Sequence, residues 1–286
     1  MPLPLSRLIR HPVLWMALLA ATATAGCAAW RVNTSKELAK ASEPFQVSPA
    51  SATTSLLVIG DSTAVGTGAS DGRHSLPGLV ATLHPQLRVV NKAADGARYA
   101  EFARQLEGVS DNFDIVLVLG GGNDVIRLTN ADKLRSDVQR VAELARERGK
   151  RVILMPPGNV GNAPFFFPPL SWLMDRRSQQ LHREVQEAAR ATGARYVGMY
   201  KDAKSDPFAQ RPKELHAADG LHPSNAGYEL WAKELLEQGR RTQIEGLLIS
   251  RDSVHDGGRQ EVHRVGANPV VLCSTQNAIA DCTLKA

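Results

Sequence analysis

Five short apolar runs alternate with amphipathic helical patterns along most of this chain. The clearest helix is predicted at 131–149, where Leu134, Val138 and Val141 recur at helical spacing and Gly149 ends the pattern. Continuous apolar strands separated by helices are typical of a parallel sheet covered on both faces, with right-handed crossovers. The pattern therefore predicts an α/β fold, a three-layer α/β/α sandwich around a five-stranded, parallel, flavodoxin-like sheet. The predicted strands are 55–60, 87–91, 114–120, 151–155 and 195–199, and the other predicted helices are 76–83, 97–106, 176–193 and 224–239.

Length and composition fit one large domain with extensions at both ends. The chain has 286 residues, of which 43% are hydrophobic and 22% charged, so it can form a sizeable core. We place the folded domain at 55–240. The net charge is +5, and the basic residues are interspersed with acidic ones, which is typical of solvated helix faces. We therefore expect no nucleic acid among the partners.

The N-terminus has the features of an export signal. Arg7 and Arg10 precede an apolar run at 13–26, which ends before Cys27. The run is about 14 residues long, which is short for a bilayer span and suitable for a secretory signal. We therefore interpret 1–27 as a signal peptide and expect a protein exported from a bacterium.

The sequence "TAGC" at the end of this run resembles a bacterial lipobox, although Thr24 replaces the usual leucine. The resemblance implies lipidation of Cys27 and membrane attachment through the N-terminus. The protein would then be a periplasmic or membrane-anchored lipoprotein. Cleavage at a nearby small residue and an uncleaved anchor are the alternatives.

Two further segments flank the predicted domain. Residues 28–54 are rich in Ala, Ser and Thr and are interpreted as a linker. Residues 241–286 show no clear periodicity, and they are either without fixed structure or a small appendage. If Cys27 carries lipid, Cys273 and Cys282 can form a disulfide across a short loop, which an oxidising compartment permits.

Polar residues follow four of the predicted elements. They lie beyond the carboxyl ends of strands, which is where ligands bind in open α/β sheets. "GDS" follows the first strand and contains Ser62, and "NKAADG" follows the second and ends at Gly96. "GGND" follows the third strand and contains Asn123. "ADGLH", beyond the fifth strand and a polar loop, contains Asp219 and His222. These segments are expected to meet at one edge of the sheet.

The residue types in these segments are those of a serine hydrolase. The hydroxyl of Ser62 needs a base to become nucleophilic, and His222 can be that base. Asp219 can hold the imidazole in one tautomer and stabilise its protonated form. The backbone N–H groups of Ser62 and Gly96, with the side-chain amide of Asn123, are candidate donors to a developing oxyanion.

The four blocks, in this order, resemble those of the SGNH (GDSL-type) hydrolase family over residues 56–235. Thr63 replaces the leucine of the GDSL label, and Ala93 stands where many members have glycine. The resemblance implies the three-layer fold and a serine esterase or lipase activity. It also implies the roles of five residues: the nucleophile Ser62, its partners Asp219 and His222, and the oxyanion-hole residues Gly96 and Asn123.

An apolar segment follows the fourth strand and should reach the same edge of the sheet. An exposed apolar patch of this size indicates a binding site or a membrane contact. We predict an acyl groove or lid here, and the alternative is that the segment simply packs over the sheet. The proposed groove residues are Phe165, Phe166, Phe167, Leu170 and Trp172.

The sequence therefore predicts an exported esterase, lipase or lysophospholipase that acts through an acyl-enzyme on Ser62. Its substrate would be a small-molecule or lipid acyl ester, and no metal or organic cofactor is expected. One alternative is a cell-envelope carbohydrate O-deacetylase or an acyltransferase with the same site. Another is a non-catalytic envelope binding protein. A metal site formed by His216, Asp219 and His222 is also conceivable, but it leaves Ser62 and Asn123 without a role.

Overall fold

The computed structural model describes residues 12–240, so Cys273, Cys282 and the predicted tail lie outside the described residues. The chain begins there with helix α1 (Pro12–Ala41). The strands are β1 (Thr54–Gly60), β2 (Leu87–Asn91), β3 (Phe113–Leu119), β4 (Gly149–Met155) and β5 (Arg195–Tyr196). The other α-helices are α2 (Ser62–Val65), α3 (Leu76–Leu83), α4 (Tyr99–Glu107), α5 (Gly122–Ile126), α6 (Ala131–Arg148), α7 (Leu170–Thr192), α8 (Pro207–Gln210), α9 (Pro212–Leu215) and α10 (Asn225–Arg240).

The five strands form one parallel sheet in the order β2-β1-β3-β4-β5, which confirms the predicted flavodoxin-like fold. In β1, Leu56 is aligned with Val89 of β2 on one side and with Ile115 of β3 on the other. The order of the strands reverses at β1, since the chain first adds β2 on one side and then β3 on the other. In this fold class, ligands usually bind in a crevice outside the carboxyl ends of the strands, at the point where the strand order reverses.

Helices cover both faces of the sheet and form two separate cores. Alternate side chains of β1 enter different cores, with Leu57 and Ile59 in one and Leu56 and Val58 in the other. Helices α4, α6 and α7 complete the first core, and α3 and α10 complete the second. Apolar residues at consecutive strand positions are explained by this arrangement, because both faces of the sheet are buried.

The segment at 28–54 differs from the linker that the sequence suggests. Helix α1 continues to Ala41, consistent with the high helix propensity of its alanines. Further along, Val47 and Val89 form a backbone bridge, with N–H···O distances of 3.1 and 2.8 Å. This segment is therefore attached to the edge strand β2. Among the helices within residues 12–240, none is sufficiently long and apolar to cross a membrane.

Most predicted boundaries hold or shift by one or two residues, and two shift further. Helix α7 begins at Leu170 rather than at 176, because the apolar residues after Pro169 form its first turns. Strand β5 ends at Tyr196 rather than at 199. The buried Val197 and Met199 continue in an extended loop, and Val197 N–H still donates to Leu154 at 2.9 Å.

Candidate active site

Ser62 lies just beyond the carboxyl end of β1, the strand between β2 and β3, and is the first residue of the short helix α2. Asp61 caps this helix, because its side chain accepts a hydrogen bond of 2.9 Å from the Thr63 N–H. The turn therefore presents the Ser62 side chain at the sheet edge beside the reversal of strand order. Ser62 is only 9% exposed, which limits the access of solvent to its hydroxyl.

Ser62, His222 and Asp219 form a continuous chain of hydrogen bonds. The Ser62 Oγ lies 2.9 Å from His222 Nε2, and His222 Nδ1 lies 2.6 Å from Asp219 Oδ2. The other carboxylate oxygen of Asp219 accepts the backbone N–H groups of Leu221 and His222 at 3.0 and 3.1 Å. This local turn fixes His222 relative to Asp219. The Ser62 segment needs only to approach this pair for the three side chains to form a hydrogen-bonded chain.

The charge distribution suits general-base chemistry. Burial alone would raise the pKa of Asp219, but the hydrogen bond and the charge of His222, with the two backbone N–H groups, lower it below its usual value. An ionised Asp219 accepts a hydrogen bond from the N–H at His222 Nδ1 and thereby keeps the proton on that nitrogen. The lone pair of Nε2 then faces the Ser62 hydroxyl, which can donate to it.

Gly96 and Asn123 line the same cavity as Ser62 and His222. Gly96 follows β2 and has a φ of +75°, a left-handed conformation that favours glycine. Asn123 lies in the first turn of α5, and its side-chain amide has no hydrogen bond to any residue between 12 and 240. That amide is available to a ligand in the cavity.

Asp61 connects two of the segments, a link that the sequence does not reveal. Beyond capping its own turn, its Oδ2 accepts the N–H groups of Gly121 and Gly122 at 2.8 and 3.2 Å. These glycines immediately precede Asn123. Burial raises the pKa of Asp61, although the hydrogen bonds from Thr63 and Gly121 oppose that shift. The carboxylate thus links the serine turn to the loop that carries the amide.

The cavity above these residues has a volume of about 350 Å³. One part of its wall consists of the polar groups just described. Another part is apolar and extends toward α10. That apolar part is formed by Val160, Phe165, Met199, Phe208, Leu230 and Trp231.

The five residues of the predicted acyl groove are not brought together. Phe165 lines the cavity, whereas Phe166 is 9% exposed and packs in the core of the α6–α7 face. Phe167, Leu170 and Trp172 are exposed to 51%, 46% and 65%. Phe167 precedes α7, and Leu170 and Trp172 lie in its first turn, so of the predicted groove residues Phe165 is the one placed at the cavity.

His216 also lines the cavity, but its ring nitrogen Nδ1 lies 3.2 Å from the carbonyl oxygen of Pro212. Burial lowers the pKa of His216. Both nitrogens of His222 are engaged by Ser62 and Asp219. Within residues 12–240, no group of three or more His, Cys, Asp or Glu side chains is placed to hold a metal ion.

Helix α1 contributes residues to the cavity, although the composition of 28–54 predicts a linker there. Val32, Ser35, Lys36 and Ala39 line its wall. Their spacing of three, one and three residues places them on one face of a helix, and this spacing is the sequence signal that could have indicated a helical wall. The Ala-, Ser- and Thr-rich composition of the segment suggests a linker instead.

The sequence matches the family model described as GDSL-like Lipase/Acylhydrolase family over residues 58–230. A comparison with curated proteins gave no match.

Several solved structures have a similar fold. A catalytic mutant of an acetylxylan esterase from Geobacillus stearothermophilus is 24% identical, with a TM-score of 0.50 over 65% of this chain and 94% of that one. A lipase/acylhydrolase from Enterococcus faecalis is 23% identical, with a TM-score of 0.50 over 66% and 97%. An alpha/beta hydrolase from the metagenome of Lake Arreo, Spain, is 21% identical, with a TM-score of 0.53 over 70% and 98%. At these identities the likeness concerns the fold. The match over 58–230 covers more than half of the chain, which therefore belongs to the GDSL-like lipase/acylhydrolase family.

Proposed function

We propose that the protein is an exported serine hydrolase that cleaves carboxylic esters through an acyl-enzyme on Ser62. The observation that carries this proposal is the Asp219–His222–Ser62 chain, with distances of 2.6 and 2.9 Å, at the wall of a partly apolar cavity. Membership of a lipase/acylhydrolase family supports the ester bond as the target. The signal-like segment at 1–27 supports export.

In the first step, the Ser62 Oγ attacks the carbonyl carbon of the ester while its proton moves to His222 Nε2. The π electrons of the carbonyl move to its oxygen and form an oxyanion. The N–H groups of Ser62 and Gly96 and the Asn123 amide donate to this oxygen. One such donor is worth about 3–4 kcal/mol of transition-state stabilisation. Asp219 stabilises the imidazolium that forms.

The tetrahedral intermediate then collapses. The bond to the alcohol oxygen breaks, and that oxygen takes the proton from His222 Nε2. The acyl group remains on Ser62 as an ester. Water enters, transfers a proton to His222 and attacks the acyl carbon. A second collapse returns the proton to Ser62 Oγ and releases the carboxylic acid.

The lining of the cavity indicates the class of acyl group. Phe165, Phe208 and Trp231 present apolar surface, which favours a hydrocarbon chain over a sugar hydroxyl group. A small-molecule or lipid acyl ester is therefore the proposed substrate. Removal of acetyl groups from envelope carbohydrate and acyl transfer to an alcohol use the same machinery, so they are alternative outcomes of the test below.

The test is hydrolysis of p-nitrophenyl esters from acetyl to palmitoyl by the full chain, compared with Ser62→Ala. We expect turnover that the substitution lowers by at least about 10³-fold. The chain-length profile separates fatty acyl from acetyl specificity, and product analysis with an added alcohol detects transfer. No turnover on any ester by folded protein would contradict the proposal and favour the non-catalytic binding protein.

A further inference from the structure

One wall of the active-site cavity is made by helix α1, far from the catalytic segments in sequence. Val32, Ser35, Lys36 and Ala39 border the cavity that also contains Ser62. Ser35 and Ala39 are half-buried, whereas Val32 is 42% exposed and lies nearer the solvent. This face of α1 therefore extends from the rim of the cavity into its interior.

The helix is fastened to the catalytic domain near this wall. The guanidinium of Arg31 donates to the carbonyl oxygen of Pro164 and lies 4.7 Å from the ring centroid of Phe167. Both residues belong to the loop that also places Phe165 at the cavity. Beyond the helix, the Val47–Val89 bridge attaches the chain to β2. The wall is thus held on both sides of the residues that form it.

Helix α1 lies outside the part of the chain that the family shares. The family match begins at residue 58, whereas α1 ends at Ala41. The catalytic residues lie within the matched region, and this wall of the cavity does not. Differences in substrate preference within a family commonly arise from segments added around a common site.

We propose that α1 is the specificity wall of the acyl site and that Val32 and Ala39 limit the length of the acyl chain that the cavity accepts. This inference rests on the proposed ester hydrolysis at Ser62. The small side chain of Ala39 leaves volume that a hydrocarbon chain can occupy. A larger side chain there removes part of this volume, whereas an acetyl group needs little of it.

The test introduces the same bulky residue on two faces of α1. Ala39→Trp and Val32→Trp place it at the cavity. Lys40→Trp is the matched control, since the Lys40 side chain is 71% exposed and forms an ion pair with Glu37 on the helix surface. In the full chain, we measure kcat/KM for p-nitrophenyl esters from acetyl to palmitoyl.

We expect Ala39→Trp and Val32→Trp to lower kcat/KM for the longest esters at least about tenfold, since a few lost methylene contacts are worth that much. The acetyl ester should change less than about twofold, and Lys40→Trp should leave the whole profile unchanged. An unchanged profile in both cavity variants would overturn the inference, as would an equal loss on every ester. If the tryptophan variants do not fold, Arg31→Ala should shift the profile by loosening the wall.

A binding measurement separates this inference from the proposed function. Ser62→Ala protein, with and without Ala39→Trp, is titrated with a fluorescent hexadecanoyl probe. Weaker binding in the double variant supports the wall even if the wild type hydrolyses no ester. Equal binding overturns the wall even if Ser62-dependent hydrolysis is observed.

Discussion

Asp61 contributes to the geometry of the site through both of its carboxylate oxygens. Oδ1 accepts from the N–H and the hydroxyl of Thr63, and Oδ2 accepts from the N–H groups of Gly121 and Gly122. An amide nitrogen cannot accept a hydrogen bond. Asp61→Asn therefore leaves one set of donors unsatisfied, whichever way the amide turns.

We expect Asp61→Asn to lower the free energy of unfolding by about 1–3 kcal/mol, the cost of unsatisfied buried donors. It should also lower kcat more than it changes KM, because the loop that carries Asn123 loses its link to the serine turn. Urea unfolding and ester hydrolysis measure the two effects. Asp71→Asn is the control, since that exposed carboxylate caps a turn at the surface. A loss of stability with unchanged kcat would contradict the positioning role.

The Asp219–His222 contact predicts a loss of activity without a comparable loss of stability. Asp219→Asn keeps an oxygen for the N–H groups of Leu221 and His222. Its NH₂ group then faces His222 Nδ1 and favours the tautomer with the proton on Nε2, which cannot accept the Ser62 proton. We expect kcat to fall by about 10³–10⁴-fold. The measurement is steady-state hydrolysis at pH 8, with thermal unfolding as the control for folding, and a kcat within tenfold of wild type would exclude this role.

The burial of His182 predicts how the free energy of unfolding depends on pH. It is buried, with Nδ1 2.7 Å from the Tyr196 hydroxyl and Nε2 2.7 Å from the Pro157 carbonyl oxygen. Burial lowers its pKa from 6.5 to about 4. The unfolded chain therefore binds the proton more readily between these values. The contribution of His182 is fully present above pH 6.5 and is lost as the pH falls toward 4, a change of roughly 3 kcal/mol.

Unfolding in urea at several pH values between 4 and 7 measures this contribution. We expect the free energy of unfolding of His182→Gln to fall less steeply with decreasing pH than that of the wild type. His74→Gln is the control, since the His74 side chain is 43% exposed. Parallel pH profiles for His182→Gln and the wild type would show that His182 does not carry the dependence.

At the scale of elements, two glycines that end helices provide a matched comparison. Gly193 follows α7 with a φ of +67°, and a Cβ there would meet no atom within 4 Å. Gly108 follows α4 with a φ of −76°, and a Cβ there would make ordinary contacts at 3.5 and 3.8 Å. The two sites therefore differ mainly in backbone conformation.

Gly193→Ala should lower the free energy of unfolding by about 1 kcal/mol, because L-residues pay a steric cost in the left-handed region. Gly108→Ala should have little effect, since its conformation suits any residue. Equilibrium denaturation of the two variants gives both values. Equal effects at both positions would contradict this explanation.

The elements also show which parts of the fold the sequence predicts. The sequence predicts strand β2 and helix α3 with their observed bounds, because apolar runs and helical spacing are local properties. Strand β5 is shorter than its apolar pattern, since only Arg195 and Tyr196 pair with β4. The predicted helix omits the first turns of α7, because these turns directly follow Pro168 and Pro169 and belong to the apolar segment for which the sequence predicts a groove or lid.

At the scale of the whole molecule, the sequence predicts which candidate site residues come together but not what surrounds them. The four blocks follow strands whose carboxyl ends share one edge, so their convergence follows from topology. The link from Asp61 to Gly121 spans 60 residues and depends on tertiary packing. The α1 wall depends on how a helix docks on the domain, which local patterns do not specify.

The position of Cys27 connects the predicted lipid anchor with the site. Cys27 is an exposed, free thiol on α1, five residues before Val32 at the cavity rim. At 1.5 Å per helical residue, the two are separated by about 7.5 Å along the helix. A lipid on Cys27 would hold the cavity entrance close to the membrane surface, where lipid esters are concentrated.

We expect the wild type to carry a lipid on Cys27 and to sediment with membranes, and Cys27→Ser to be released into the soluble fraction. Mass spectrometry and fractionation measure these outcomes.

Both proteins should hydrolyse p-nitrophenyl butyrate equally in detergent, because Ser62 and His222 are unaffected. On esters embedded in vesicles, the wild type should be faster, since the anchor raises the local concentration of substrate at the site. Equal rates on vesicles from a lipidated wild type and Cys27→Ser would mean that the anchor determines location without presenting the site to the bilayer.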